Sequence, residues 1–294
     1  MERAAWIALS TVSGLGPVRF RALVDAFGSP AAALDAGPDA IAATITIPES
    51  AREELAGMAA RLEGIEAELL SLEEQGVSAL TWEDAEYPAR LLSTSSPPPV
   101  LWWRSEGCPS QPEEVAAVVG SREISDRGRE EAYAIGHALA GAGVVVVSGL
   151  AAGIDAAAHE GALDSGGPTV GVCGCGILTA LVRGRGGLAQ RVAEGGGLCS
   201  ELAPTAPLAA KTLFARDRII AGLADAVIVV EARAEGGAVH TAKCARQEGR
   251  SVLAVAWEQD HPAPGNRQLL GGGAKPLEPG ADVIAAFAEI TRSC

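Results

Sequence analysis

Residues 115–155 read VAAVVGSREISDRGREEAYAIGHALAGAGVVVVSGLAAGID, and they constrain the fold more than any other stretch of the chain. A five-residue apolar run, 115–119, stops at Gly120-Ser121-Arg122. An amphipathic helical pattern follows, from about 127 to 142. A second apolar run, 144–147, stops at Ser148-Gly149-Leu150. Short Val-rich runs that end in glycine, with an amphipathic helix between them, predict a βαβ unit with parallel strands. Right-handed crossovers bring both strand ends to one edge of the sheet. Gly and Ser backbone amides and helix N-termini gathered on that edge make an anion site, so a ligand is expected there.

The alternation continues downstream. Strands are predicted at 169–173, 198–200, 226–230 and 252–255, and helices at 188–194, 216–223, 241–248 and 281–290. Some six parallel strands with intervening helices amount to an α/β, Rossmann-like, doubly wound and mostly parallel sheet. Upstream, Trp6, Leu9, Val12, Leu15, Phe20, Leu23, Val24 and Phe27 supply helical apolar faces, broken at Ser13-Gly14-Leu15-Gly16-Pro17. The break reads as a helix-hairpin-helix or SAM-like domain whose turn amides face phosphate, or as a small packing bundle. Residues 49–75 form a Glu-rich helical stretch. Pro97-Pro98-Pro99 precludes helix and feeds a strand. The expected organisation is a small helical domain at 1–76, an extended lead-in at 77–114 and a Rossmann-like domain at 115–294. Pro109 to Glu114 is the polar approach to the last.

At 48% hydrophobic residues the 294-residue chain can bury a large core. It holds no apolar run long enough for a membrane span, and its start lacks a signal-peptide pattern. Cysteines at 108, 173, 175, 199, 244 and 294 form no CxxC pair, which argues against zinc and for reduced thiols in a cytoplasmic protein. The net charge of −14 excludes a globally basic nucleic-acid binder. The acid is uneven, however. Residues 1–114 carry 7 Lys/Arg against 18 Asp/Glu, whereas 115–275 carry 15 against 16 and can focus a positive patch locally.

No GxGxxG dinucleotide fingerprint is present, and the second strand ends in Ser148-Gly149 rather than an acid. Several other segments fall in a fixed order. Ser148 to His159 reads SGLAAGIDAAAH. It is preceded by VVGSR and followed by Gly161-Ala162-Leu163, by Cys199-Ser200-Glu201 and by FARDRIIAGL from Phe214. Next come Val229-Val230-Glu231-Ala232, Gly237-Ala238-Val239-His240-Thr241-Ala242, Gly265-Asn266 and Gly273-Ala274. Together these resemble the DNA-processing protein A (DprA, or Smf) family over about 80–290. Counterparts of the winged-helix domain that many members append are not found before Cys294.

The resemblance implies a non-catalytic, cytoplasmic homodimer that needs no cofactor or metal. It implies binding and protection of incoming single-stranded DNA and loading of the RecA recombinase on it, as in natural transformation. Carried over by position, the DNA-binding residues are Gly120, Ser121 and Arg122 of the first turn and Ser148, Gly149 and Leu150 of the second. Lys211, Phe214, Arg216 and Arg218 belong to the pocket near the FxxRxR segment, and Gly237 and Thr241 belong to the last motif. Arg and Lys neutralise phosphates, and Phe214 offers a stacking face indifferent to sequence. Three departures bear on affinity. The family's FPxRNR has Ala215 and Asp217 here, so a carboxylate stands between two arginines. The SGSL serine falls on Glu235 or Gly236. Leu181 to Gly187 replaces the YPxxN segment, with Arg183 and Arg185 as substitute cations.

The second reading is a nucleotide-binding sensor or nucleotide hydrolase on the same fold. It would use Glu201 and Glu231, which both end predicted strands, in a closed pocket. Asp155 and His159, four apart on one helix, are read either as an acid/base pair or as a cap beside a buried, satisfied histidine. Trp102 and Trp103 are read as core or dimer contacts rather than base platforms.

Overall fold

The computed structural model describes residues 2–106, 110–183 and 187–292. The chain forms two compact units, one of residues 1–87 with 95–103, the other of 88–94 with 104–294.

In the first unit, helices α1 (Glu2–Ser10), α2 (Pro17–Phe27), α3 (Pro30–Thr44), α4 (Glu49–Ala56) and α5 (Leu62–Glu74) precede strand β1 (Ser78–Thr81), which pairs antiparallel with β2 (Val100–Ser105). The α1–α2 turn turns at Gly14 with φ +82°, a conformation that favours glycine, and Pro17 opens α2, where its missing N–H costs no bond. An aromatic trio forms the core. Trp6 and Phe20 stack at 5.1 Å, and Trp82 meets both edge-on at 5.4 and 5.5 Å. The Trp82 indole N–H and the Tyr87 hydroxyl both donate to Pro98 O, which fastens the proline segment. Trp102 is buried on β2, opposite Ala79.

The second unit contains the short helix α6 (Ala89–Leu92) and then the alternating elements. These are β3 (Val115–Val119), α7 (Asp126–Gly141), β4 (Val145–Ser148), α8 (Ile154–Asp164), β5 (Thr169–Val172), α9 (Ile177–Arg183), α10 (Leu188–Gly195) and β6 (Gly197–Ser200). They continue with α11 (Ala210–Leu223), β7 (Ala226–Val229), α12 (Gly237–Gln247), β8 (Ser251–Val255), α13 (Pro264–Gly271), β9 (Lys275–Leu277) and α14 (Val283–Thr291). The strands lie in the order β6-β5-β4-β3-β7-β8-β9, each pair parallel. Seven parallel strands therefore stand where about six were predicted, the addition being β9. The Val and Ala residues of β3, β4 and β7 are buried on both faces, as a parallel sheet covered by helices requires.

One face is covered by α7, α8 and α14, with Ile135, Leu139, Ala158 and Phe287 in the core; α11 and α12 lie outside that cluster. Helices α7 and α8 approach backbone to backbone. A Cβ on Gly136 would stand 2.2 Å from Ala158 O, and one on Gly161 would stand 2.1 Å from Tyr133 O, so only glycine fits at either point. At the far side, buried Asn266 accepts from Ala232 N at 2.8 Å and donates to Val230 O and Val255 O at 2.8 and 3.0 Å. That one amide joins the ends of β7 and β8.

Four cysteines, Cys173, Cys175, Cys199 and Cys244, are buried; Cys108 and Cys294 lie outside the described residues, as does Pro109 of the lead-in. Among the described residues no helix is long and apolar enough to cross a membrane.

Candidate nucleic-acid interface

The strand order reverses at β3, whose neighbours are β4 and β7 rather than strands on one side only. In open α/β sheets the crevice at such a switch point, outside the carboxyl ends of the strands, is where ligands sit. A cleft of about 390 Å³ opens there. The turn after β3, the loop after β7, the first turns of α8 and α12 and one face of α11 line it.

The β3 turn is fixed by its neighbours. Ser121 N–H donates to Glu231 O at 2.7 Å, Ile154 N–H donates to Ser121 O at 3.2 Å, and Arg233 N–H donates to Ser121 Oγ at 3.2 Å. A Cβ on Gly120 would fall 2.2 Å from the Ile154 side chain. Arg122 is exposed on this rigid turn and makes no ion pair with any described residue. Its neighbour Glu123 pairs instead with Arg233.

The β4 turn is built differently. Ser148 is fully buried and its hydroxyl donates to Val118 O at 2.6 Å. Gly149 N–H donates to Asp155 Oδ2 at 3.1 Å. Leu150 adopts φ +58° and packs against Gly171. These three residues hold the floor together and do not line the cleft.

From α11, Phe214 projects half-exposed into the cleft and Arg216 reaches its floor. Arg216 is only 5% exposed, and its Nη1 donates to Val172 O at 2.9 Å. Its guanidinium stands beside both Asp155 and Asp217, and Nε lies 3.5 Å from Asp217 Oδ1. Burial raises the Asp155 carboxyl above its ordinary range against the pull of Arg216 and three backbone amides. Burial likewise lifts Asp217 to about 6, with Arg216 and His240 opposing. Lys211 is exposed but outside the cleft, and Arg218 is spent on an ion pair with Glu201. Gly237 and Thr241 come from the start of α12, and the free first-turn amides of that helix open on the cleft beside Gly236 and Ala238.

Seven of the sequence-named residues thus converge: Gly120, Ser121, Arg122, Phe214, Arg216, Gly237 and Thr241. Ser148, Gly149, Leu150, Lys211 and Arg218 do not line the cleft, although Gly149 lies directly against Arg216. Sequence reasoning missed Arg233 and Glu235 as lining residues, and it named Asp155 and Asp217 without placing them on the cleft. The cleft mixes cations and carboxylates rather than forming a uniformly basic groove. Arg183 ends α9 away from it, and Arg185 lies outside the described residues.

Asp155 and His159 do not pair. His159 Nδ1 donates at 2.7 Å to Thr169 Oγ1, whose own proton goes to Val146 O, and burial followed by the field of Arg216 lowers the imidazole to about 3. The ring is a neutral core group. Glu201 and Glu231 do not line this cleft either. Glu231 accepts from Ser125 N and Oγ at 3.1 and 2.6 Å and meets His261 Nε2 at 2.9 Å, fixing the N-cap of α7. Among the described residues no three His, Cys, Asp or Glu side chains are placed to hold a metal.

Residues 78–288 match the model of the DNA recombination-mediator protein A family, and residues 1–57 match that of the DprA-like N-terminal HHH domain. The chain belongs to the DNA recombination-mediator protein A family. Protein Smf from Synechocystis sp. is 33% identical to it over 98% of this chain and 73% of its own length. The X-ray structure of DNA processing protein A from Streptococcus pneumoniae superposes with a TM-score of 0.78 at 29% identity, covering 96% of this chain and 97% of that one. DNA processing protein A from Helicobacter pylori, described for its single-stranded DNA binding mode, shares the fold with a TM-score of 0.62 at 20% identity over 73% and 96%. For a DprA-family chain, the α/β sheet and the helical N-terminal unit are the expected parts, and both are present.

Proposed function

We propose that this chain binds single-stranded DNA in the β3/β7 cleft and acts as a recombination mediator. It protects the strand and passes it to a RecA-type recombinase, as a cytoplasmic homodimer without catalysis. The observation that carries the reading is the pairing of Arg122 with Phe214 on one cleft: an unpaired guanidinium on a rigid turn faces the same space as a half-exposed aromatic ring. A cation for phosphate and a π-face for a base are the two elements that sequence-independent strand binding needs. The first-turn amides of α12 add donors for a second phosphate. A duplex would offer no unstacked base to Phe214, so the geometry favours the single strand. The streptococcal likeness over nearly the whole chain and the single-strand binding named for the Helicobacter pylori protein support the same reading.

The test is fluorescence anisotropy of a labelled oligo-dT at two salt concentrations, with a duplex of equal length as control. Salt-sensitive binding to the single strand alone is the expected result. No binding at low salt would overturn the reading, and an assay of strand transfer onto RecA then tests the mediator step separately.

A further inference from the structure

One group stands just outside the cleft lining, against two residues that form it, Phe214 and Asp217. His240, on the first full turn of α12, is half-exposed, with 40% of its side chain in solvent. Three neighbours hold the ring. The Phe214 ring meets it edge-on, with centroids 5.5 Å apart and planes at 79°. Asp217 Oδ2 lies 3.3 Å from Nδ1, and that carboxylate is itself 7% exposed. Cys244 Sγ, one turn along the helix, packs 4.0 Å from both ring nitrogens. A carboxylate on Nδ1 fixes the tautomer with the proton on that nitrogen, which leaves Nε2 a bare acceptor in the neutral ring and a charged donor in the imidazolium. A half-exposed imidazole perpendicular to Phe214 would stand beside the backbone of a strand whose base stacked on that ring.

We propose that His240 is a further DNA-contacting residue of the cleft, a phosphate ligand that acts in its imidazolium form, with Asp217 as the positioning residue that orients it. This rests on the reading that the cleft binds single-stranded DNA. The groups facing the pair are Arg216 and Arg218 on α11, Asp155 on α8, and Cys244 and Glu248 on α12. None is a second anion in contact with the imidazole. Burial raises Asp217 to about 6, so that carboxylate takes up a proton as pH falls from about 8 toward 6, and the negative charge beside His240 weakens. The surroundings of the ring become more positive as pH falls, and affinity for phosphate rises.

The experiment is anisotropy of oligo-dT with the full chain at about pH 8 and pH 6, at fixed ionic strength. The wild type should bind roughly three- to tenfold tighter at the lower pH. His240→Phe keeps the ring and its packing but removes the imidazole, and should show a smaller pH gain than the wild type, since only Asp217 then takes up a proton. Asp217→Asn should bind more tightly at about pH 8, since the competing carboxylate is gone. Nitrogen-detected NMR of the imidazole gives an independent readout: its pKa should rise when oligo-dT is added. An equal pH gain in wild type and His240→Phe, in a protein whose binding Phe214→Ala still weakens, would overturn the proposal and leave the single-strand reading intact. No oligo-dT binding by the wild type at either pH would overturn both.

Discussion

The guanidinium of Arg216 lies against Gly149, so that a Cβ on the glycine would come within 1.8 Å of Arg216 Nη1. The glycine of the second turn is therefore a seat for a buried arginine, and the arginine is tied to Val172 O rather than offered to solvent. Gly149→Ala should force the guanidinium off that carbonyl and cost on the order of 2 kcal/mol, as overpacking of a close-packed site does. Urea denaturation checks it; an unchanged midpoint would show that Arg216 has room to move.

Arg122 and Arg216, both named from the sequence as DNA contacts, should behave differently. Arg122→Ala removes an exposed, unpaired charge. Folding stability should stay within about 0.5 kcal/mol, while single-strand affinity falls and the salt slope drops by about one. Arg216→Ala removes the cation between Asp155 and Asp217 and should destabilise the fold by on the order of 3 kcal/mol. Denaturation and salt-dependent anisotropy on the two variants separate ligand contact from scaffold.

Asp217 gives stability a distinct pH dependence. Its carboxyl ordinarily titrates at 3.8 and is raised to about 6 in the folded chain, chiefly by burial. Between those values the folded state holds the proton more tightly than the unfolded state, so this group's contribution is fully favourable below about 4 and is lost as pH rises through 6. Asp217→Asn should therefore stabilise the protein by on the order of 2 kcal/mol at neutral pH and by little at about pH 4. Thermal melts of both proteins at the two pH values decide it, and a gain that grows toward acid would contradict the assignment.

Glu231 joins three elements through Ser125 and His261, and Gly128 leaves it the room, since a Cβ there would meet Glu231 Oε2 at 2.3 Å. Glu231→Ala strands the Ser125 amide and the His261 ring in the interior and should cost about 3 kcal/mol. Hydrogen exchange should show the loss concentrated in the first turn of α7; uniform loss across the unit would contradict this placement.

Much of the second unit was legible because its parallel strands are short Val-rich runs, closed by a glycine turn after β3, β4 and β5 and by Glu231 after β7, and the strands fall where those runs lie. The short β9 was not, because Pro276 sits in its middle and three residues carry no period. Helix α13 was hidden by Pro264-Gly265, which reads as a turn, although proline at a helix start is favourable. Helix α11 begins six residues before its predicted start because no side-chain cap marks Ala209. In the cleft, motif order named most of the polar residues, but spacing alone is silent on burial. Arginine is seldom interior, so Arg216 reads as a surface charge until the fold places it. The Ser125–Glu231 bond left one visible trace, a serine three residues before Gly128 at the opening of a helical pattern.

The interlocked glycines of α7 and α8 give the cleft unequal sides. Each helix follows a strand whose terminal turn reaches the ligand edge, and those two turns are already joined by Ile154 N–H on Ser121 O. Neither turn can shift without dragging its helix against the other's backbone, so Arg122 rides on an anvil. Whatever adjustment a passing strand demands, from one nucleotide to the next, falls to the α11–α12 jaw that carries Phe214 and His240.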